Sequence, residues 1–220
     1  FKFVPEAADR VAMLRAGSID LISPWAWTPR DIPALREDPN VAVYEVPHFG
    51  ILQFVPNHQI EPFGEKLVRK ALSYAIPYDA ILSRVMYGTA VQMKSFLPEG
   101  VPTYTGEFSD YKYDLAKAKQ LLGQTKYANG FSTDLLYQVG QVDQKEISEW
   151  IASEWAKLGV KVDIKSLTAA AYSDAERSGD MPLHYHVFTP FVPDPFYTFK
   201  WTVHSPATHG AWPMSQHYKN

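Results

Sequence analysis

The chain has 220 residues, of which 46% are hydrophobic and 20% charged, as in a globular protein with a sizeable core rather than a disordered one. Its formal net charge of −3, without a run of Lys or Arg, argues against a nucleic-acid-binding protein. The absence of cysteine excludes disulfides, thiolate metal sites and cysteine nucleophiles. No apolar run approaches the roughly 20 residues of a membrane-spanning helix, which predicts a soluble chain. The chain begins at Phe1 without an initiator Met or a leader-like segment, which favours an internal piece of a longer protein.

The N-terminal segment predicts a helix, a glycine turn and a strand. Residues 5–16 carry apolar side chains at helical spacing, Gly17 suits the end of a helix, and residues 19–22 are a short apolar run typical of a strand. A second, short helix follows the loop after that strand, because Thr28 and Pro29 are typical N-cap and first-turn residues. Two β-rich runs come next, at residues 41–46 and 49–55.

Two short amphipathic helices, broken at Pro77, are predicted between Phe63 and Gly88. Proline lacks a backbone N–H and fixes its own φ, so Pro77 ends the first helix and is tolerated in the first turn of the second. Both helices carry apolar stripes that require a core. The stripes are Leu67, Ala71, Leu72, Ala75 and Ile76 in the first helix and Tyr78, Ile81, Leu82, Val85 and Met86 in the second.

The C-terminal half predicts alternating strands and helices after an irregular loop over residues 94–113. A strand, a helix and a second strand in succession generally form a crossover between parallel neighbours, so a mixed α/β layer is expected. Asp114 is a typical N-cap for the helix that precedes this unit. The predicted elements are helix 114–122, strand 131–139, helix 143–158, strand 160–164, helix 169–178 and strand 183–189, followed by an aromatic, proline-rich tail.

The pattern P-F-x-x-x-x-V-R-K-A-L-x-x-A-I-x-x-x-x-I, starting at Pro62, resembles the helical signature of the solute-binding proteins of peptide, opine and nickel ABC importers. The family usually has an Asp where this chain has Pro77. Three further sequence segments are similar to recurring motifs of this family: L-R-A-G-S-I-D-L at residues 14–21, Y-D-L-A-K-A-K-Q-L-L at 113–122 and W-A-K-L-G-V-K-V-D-I at 155–164. The resemblance covers nearly the whole chain.

This resemblance implies an α/β fold of the two-lobed periplasmic-binding-protein type, class II-like, present here in part. It implies that residues 1–52 belong to lobe I and residues 53–220 form most of lobe II, with the C-terminal return to lobe I missing. The expected partners are a small-molecule ligand and the membrane permease and ATPase subunits of an ABC importer. The expected protein is a monomer without enzymatic activity or cofactor, located in the periplasm or outside the cytoplasm and lipid-anchored in a Gram-positive bacterium.

Ligand-binding residues are expected at two places that the family uses as its cleft. The first is the loop with Trp25, Ala26 and Trp27, whose indoles suit sugar rings, peptide side chains or a cation. The second is the exit of the last strand. The full set of candidates is Trp25, Ala26, Trp27, Asn57, Arg177, Phe188, Thr189, Phe191 and Asp194.

Peptide-binding relatives carry an Asp near the position of Phe191, and its carboxylate pairs with the peptide α-amino group. Phe191 cannot supply that charge, and burying an ammonium group without a partner costs several kcal/mol, on the order of 3–5. Peptides held by their N-terminus are therefore less favoured than a sugar-like, opine-like or specialised ligand. An alignment shifted by three residues would instead let Asp194 supply the carboxylate, although Asp194 and Pro195 also fit a structural turn.

Two other functional classes remain open. His184 and His186 share one strand face, and His204 and His209 lie downstream, so a metal enzyme or hydrolase that uses His184, His186 and a distant carboxylate is an alternative. The chain has no cysteine and no spaced carboxylate partner for a metal site, and it lacks the common catalytic motifs. Neither a metal nor a catalytic residue is predicted. A ligand sensor that signals without transport is the third class.

Overall fold

The computed structural model describes residues 1–4, 6–23, 26–46 and 48–202. The helices are α1 Ala7–Arg15, α2 Ile32–Arg36, α3 Lys66–Tyr74, α4 Tyr78–Arg84, α5 Leu115–Leu122, α6 Val142–Ala156, α7 Ala169–Ser178 and α8 Pro195–Thr202, and a 3-10 turn spans Pro29–Asp31. The strands are β1 Ile51–Pro56, β2 Ser132–Gln138, β3 Lys161–Leu167 and β4 Leu183–Phe188. Within the described ranges, every helix is too short or too polar to cross a bilayer.

The chain divides into two compact units. The first comprises Phe1–Pro47 with Asp79–Val91, and the second comprises His48–Tyr78 with Gln92–Asn220. The break at Pro77 therefore separates α3, in the second unit, from nearly all of α4, in the first. The lobe boundary expected at residue 52 instead puts both helices in lobe II, and the lobe assignment stays a prediction.

In the first unit, the predicted helices form but two predicted strands do not. Ile32 and Leu35 of α2 are buried, as expected. Residues 19–22 and 41–46 are not strands, and side chains such as Leu21 and Tyr44 are 77% and 87% exposed. A strand needs a neighbour to pair its backbone groups, and none of the described residues pairs with either segment. The strand predictions for these two segments are wrong for the described chain.

The second unit is built on a mixed four-stranded sheet in the order β1-β4-β2-β3. Strands β2 and β3 are parallel over their full length, which confirms the predicted crossover through α6. Strand β4 is parallel to β2 and antiparallel to β1. A mixed sheet with helices between its parallel strands confirms the predicted α/β class.

Helices cover both faces of this sheet. Adjacent residues of a strand point to opposite faces. The Tyr185 hydroxyl lies 2.9 Å from Ser148 Oγ of α6, whereas Nδ1 of the next residue, His186, lies 2.9 Å from Glu176 Oε1 of α7. The α6 face and the α7 face are therefore opposite sides of the sheet.

A second helical layer lies on the α6 face. Trp155 of α6 is 1% exposed, and its Nε1 donates a hydrogen bond of 3.2 Å to the Leu72 carbonyl of α3. Helix α5 packs on α3 and begins at the predicted cap, where Asp114 Oδ1 accepts 2.8 Å from Lys117 N. One detail of the α3 stripe differs from expectation: Val68 is fully buried, whereas Leu67 is only partly covered.

Candidate ligand-binding site at the carboxyl edge of the sheet

The three parallel strands β2, β3 and β4 end at one edge of the sheet in the second unit, called the carboxyl edge here. At this edge β2 and β4 separate. Strands β2 and β4 share only the register pairs Leu135↔Leu183 and Leu136↔His184, and beyond them each strand continues without pairing to the other. The Tyr172 hydroxyl from α7 takes the place of the missing neighbour. It donates to the Tyr185 carbonyl at 2.5 Å and accepts from the Tyr185 N–H at 3.0 Å. In α/β sheets, a crevice outside the carboxyl ends of parallel strands is the usual place for a ligand.

The Tyr172 hydroxyl should contribute strongly to stability, because it pairs both backbone groups of a buried residue. Burial raises the pKa of Tyr172, so the hydroxyl stays protonated and can donate. We expect Tyr172→Phe to lower the free energy of unfolding by about 1–3 kcal/mol, since a buried N–H and a buried carbonyl lose their partner. Urea denaturation of the complete protein, followed by far-UV circular dichroism, measures this loss.

Tyr44→Phe is the control for this substitution, because Tyr44 is 87% exposed. It should change the free energy of unfolding by less than about 0.5 kcal/mol. Equal effects of the two substitutions would contradict the role of the Tyr172 hydroxyl.

The predicted residues at the exit of β4 lie beside this separation. Phe188 is 7% exposed and stacks on Tyr197 of α8, with ring centroids 6.3 Å apart. Thr189 follows it and is partly exposed. A Cβ on Gly50 would lie 3.4 Å from Thr189 Oγ1, so the backbone just before β1 runs close to this threonine. The carboxyl edge thus places the stacked rings of Phe188 and Tyr197 beside the hydroxyl of Thr189.

Phe191 and Asp194 have different surroundings in the loop before α8. Phe191 is 89% exposed, and its ring meets the Tyr197 ring edge-on at a centroid distance of 6.3 Å. The Asp194 carboxylate accepts a 2.9 Å hydrogen bond from Tyr197 N and so caps α8. The structure thus favours the structural-turn interpretation of Asp194 and Pro195 over a carboxylate held ready for a ligand.

Helix α8 itself was not expected, because the sequence after residue 189 reads as an aromatic, proline-rich tail. The missed signal is Asp194 followed by Pro195, a typical N-cap and first-turn pair. This helix carries Tyr197 against the candidate site and Phe199, which stacks on Phe96 at 5.1 Å.

In the first unit, Arg10 of α1 binds the candidate loop that contains Ala26 and Trp27. Arg10 Nε donates to the Ala26 carbonyl at 2.6 Å, and Arg10 Nη1 donates to the Val4 carbonyl at 2.7 Å. Trp27 is 36% exposed, so part of this residue reaches the surface. Trp25 lies outside the described residues. Its predicted role, like that of Trp27, stays a prediction.

The remaining two candidates, Asn57 and Arg177, already bind other groups of this chain. Asn57 is 1% exposed; its Nδ2 donates to the Gly179 carbonyl at 2.8 Å, and its Oδ1 accepts from Gln59 N at 3.0 Å. Arg177 forms an ion pair with Asp174 on the exposed side of α7. Direct ligand contact by either residue stays a prediction, and the observed bonds give Asn57 a structural role at the end of β1.

The histidines expected to share a strand face do so, but inside the protein. His184 is fully buried and His186 is 4% exposed, on the α7 face of the sheet. Among the described residues, no group of three His, Asp or Glu side chains could hold a metal ion. His204 and His209 lie outside the described residues. The described part of the chain therefore offers no observation in favour of the metal-enzyme alternative.

Residues Asp143 and Gln144, in the first turn of α6, were not singled out in the sequence. Asp143 is partly buried, and Gln144 is 6% exposed with a buried Oε1 that has no hydrogen-bond partner among the described residues. Burial raises the pKa of Asp143, and hydrogen bonds from the backbone N–H groups of Gln144 and Asp143 oppose this effect. The available signal was their position directly after the turn that ends β2, at the carboxyl edge.

Comparison with known proteins agrees with this architecture. Residues 1–210 match the family model of the bacterial extracellular solute-binding proteins, family 5 Middle. Heme-binding protein A of Haemophilus influenzae is 35% identical over 81% of this chain and 33% of its own length. The dipeptide-binding protein of Escherichia coli K12 is 30% identical over 82% of this chain and 34% of its own length. The chain thus spans about a third of these relatives.

A solved structure gives the same assignment. The periplasmic binding protein DppA of Helicobacter pylori, in complex with the peptide STSA, superposes with a TM-score of 0.88 at 26% identity. The match covers 98% of this chain and 41% of that protein. It confirms the fold class inferred from the sequence. On the family match over residues 1–210 and two relatives at 30% identity or more, the chain belongs to the bacterial extracellular solute-binding proteins of family 5.

Proposed function

We propose that the complete protein is the solute-binding component of an ABC importer. It captures a small polar ligand, such as a peptide, an opine or a sugar-like compound, and delivers it to a membrane permease driven by an ATPase. The observation that carries this proposal is the family match over residues 1–210. The peptide-bound relative of the same fold supports a peptide-like ligand. The protein acts outside the cytoplasm, as a monomer, and catalyses no reaction itself.

Ligand binding would stabilise a closed state through contacts that only that state makes to both lobes. The carboxyl edge of the sheet is the proposed contact surface in the second unit, because it combines the separated strands with the exposed ring of Phe191. The loop of Ala26 and Trp27 is the proposed surface in the first. The contact set is Trp25, Ala26, Trp27, Asn57, Arg177, Phe188, Thr189, Phe191 and Asp194.

A melting experiment on the complete protein tests this proposal. Dipeptides, opines and oligosaccharides are added separately, and thermal unfolding is followed by circular dichroism. A ligand at about 100 times its Kd stabilises the folded state by about 2.7 kcal/mol, so one of the three classes should raise Tm. If none of the three classes shifts Tm, the importer function is contradicted.

A further inference from the structure

The first turn of α6 lies at the carboxyl edge of the sheet, beside β4. Helix α6 connects the parallel strands β2 and β3, so it runs opposite to them and to β4, which is parallel to β2. Ser148 contacts Tyr185 at 2.9 Å. Gln144 lies four residues before Ser148, which is about 6 Å along the helix axis towards the start of α6. Val187 lies two residues after Tyr185, which is about 7 Å along the strand towards the end of β4. The first turn of α6, which contains Asp143 and Gln144, is therefore at the same edge of the sheet as Val187.

This position combines acceptors with an uncovered apolar surface. Val187 is 53% exposed, and its register partner Leu52 is 38% exposed, on the same face as Tyr185. Burial is the main cause of the raised pKa of Tyr185, and the negative charge of Asp143 adds to it. Both acceptors, the Asp143 carboxylate and Gln144 Oε1, belong to the first turn of α6, at the carboxyl edge.

Neither acceptor is satisfied by another side chain. Within the described ranges, no Lys, Arg or His pairs with Asp143, and Gln144 Oε1 has no donor although Gln144 is more than nine-tenths buried. A buried acceptor without a partner costs about 1–3 kcal/mol, so native proteins retain few of them without a reason. The Asp143 carboxylate accepts hydrogen bonds from the backbone N–H groups of Gln144 and Asp143, but a partly buried charge stays costly unless a charged partner pairs with it as well.

We propose that Asp143 and Gln144 form a subsite for the ammonium group of the transported ligand. The Asp143 carboxylate pairs with the positive charge, Gln144 Oε1 accepts a second hydrogen bond, and Val187 and Leu52 contact the adjoining carbon atoms. An ammonium group supplies three donors and one charge, which matches this pair of acceptors. This inference rests on the proposed solute-binding function, and it places the ligand cation on α6 rather than at Phe191 or Asp194.

The test compares two ligand libraries on the complete protein by isothermal titration calorimetry. One is a dipeptide library with free amino termini, and the other is the same library with N-acetylated termini. The wild-type protein should prefer the free library. Asp143→Asn should weaken binding of the free library by about tenfold or more, because a partly buried charge pair is lost, and should leave binding of the acetylated library unchanged. Asp163→Asn, whose carboxylate is 65% exposed on β3, is the matched control and should change neither.

Gln144→Leu is the second variant, and it remains informative if Asp143→Asn does not fold. Replacing an unpaired buried amide by an apolar side chain of similar size should keep or raise Tm without ligand. It should nevertheless weaken binding of the free library. A rise in Tm with unchanged affinity would overturn the subsite, since Gln144 would then be a structural defect only.

The outcomes separate this inference from the proposed function. Equal affinity of the wild-type protein for both libraries, binding of oligosaccharides alone, or equal effects of Asp143→Asn on both libraries would overturn the subsite and leave solute binding intact. Failure of the wild-type protein to bind dipeptides, opines and oligosaccharides would contradict the proposed function, and the subsite with it.

Discussion

Trp155→Ala is expected to lower the free energy of unfolding by about 3–5 kcal/mol, the range for truncating a large aromatic residue in a core. Trp155 is 1% exposed, its ring meets Phe54 of β1 at a centroid distance of 5.7 Å, and its Nε1 binds the Leu72 carbonyl of α3. One side chain therefore joins the sheet, α6 and the outer helical layer. Urea unfolding of the complete protein, followed by circular dichroism, measures the loss.

Two further substitutions are compared with Trp155→Ala: one removes the indole hydrogen bond, and the other is a surface control. Trp155→Phe keeps much of the packing but leaves the Leu72 carbonyl without its donor, so it should cost less than Trp155→Ala, about 1–3 kcal/mol. Phe191→Ala, at a position that is 89% exposed, should cost less than about 0.5 kcal/mol. A loss of similar size at Phe191 and Trp155 would contradict the assignment of Trp155 to the core.

Gly130→Ala is the second substitution with a large expected effect, also about 3–5 kcal/mol. Gly130 has φ +86°, where an L side chain is strained, and a Cβ there would lie 2.0 Å from the Gly159 carbonyl oxygen. The clash is with the backbone of Gly159, just before β3, and a backbone group cannot rotate away as a side chain can. The cost of backbone strain at Gly130 therefore adds to the cost of overpacking. Thermal and urea denaturation of the complete protein measure the effect.

Gly140→Ala provides a matched control for Gly130. Gly140 has a similar φ of +92°, but a Cβ there would meet nothing within 4 Å. The strain is therefore comparable and the clash is absent, so Gly140→Ala should cost about 1–2 kcal/mol. If the two alanine variants are equally stable, the close approach of Gly130 to Gly159 does not constrain the sheet.

The elements that sequence could predict are those with strong local signals. Pro77 marks the break between α3 and α4, Asp114 caps α5, and the alternating pattern before and after α6 gives parallel strands. These features depend on backbone chemistry and periodicity within a few residues. The helix bounds of α7, Ala169–Ser178, agree with the prediction at both ends.

The features that sequence could not supply depend on distant partners. Residues 41–46 have β-prone composition but no neighbouring strand among the described residues, so composition alone misleads. The Tyr172 hydroxyl replaces a strand only because β2 and β4 separate, which no local pattern records. Asp143 is an ordinary first-turn carboxylate in the sequence, and only the burial of Gln144 and the exposure of Val187 indicate a subsite. Asp194, by contrast, was a ligand candidate whose carboxylate proves to cap α8.

Native mass spectrometry tests the central claim, that the complete protein holds a small solute, most directly. The complete protein is incubated with the dipeptide, opine and oligosaccharide mixtures, transferred to a volatile buffer and weighed under native and denaturing conditions. We expect a single adduct, one ligand per protein monomer, that is present in the native spectrum and lost on denaturation. A native mass equal to that of the polypeptide alone after every mixture would contradict it.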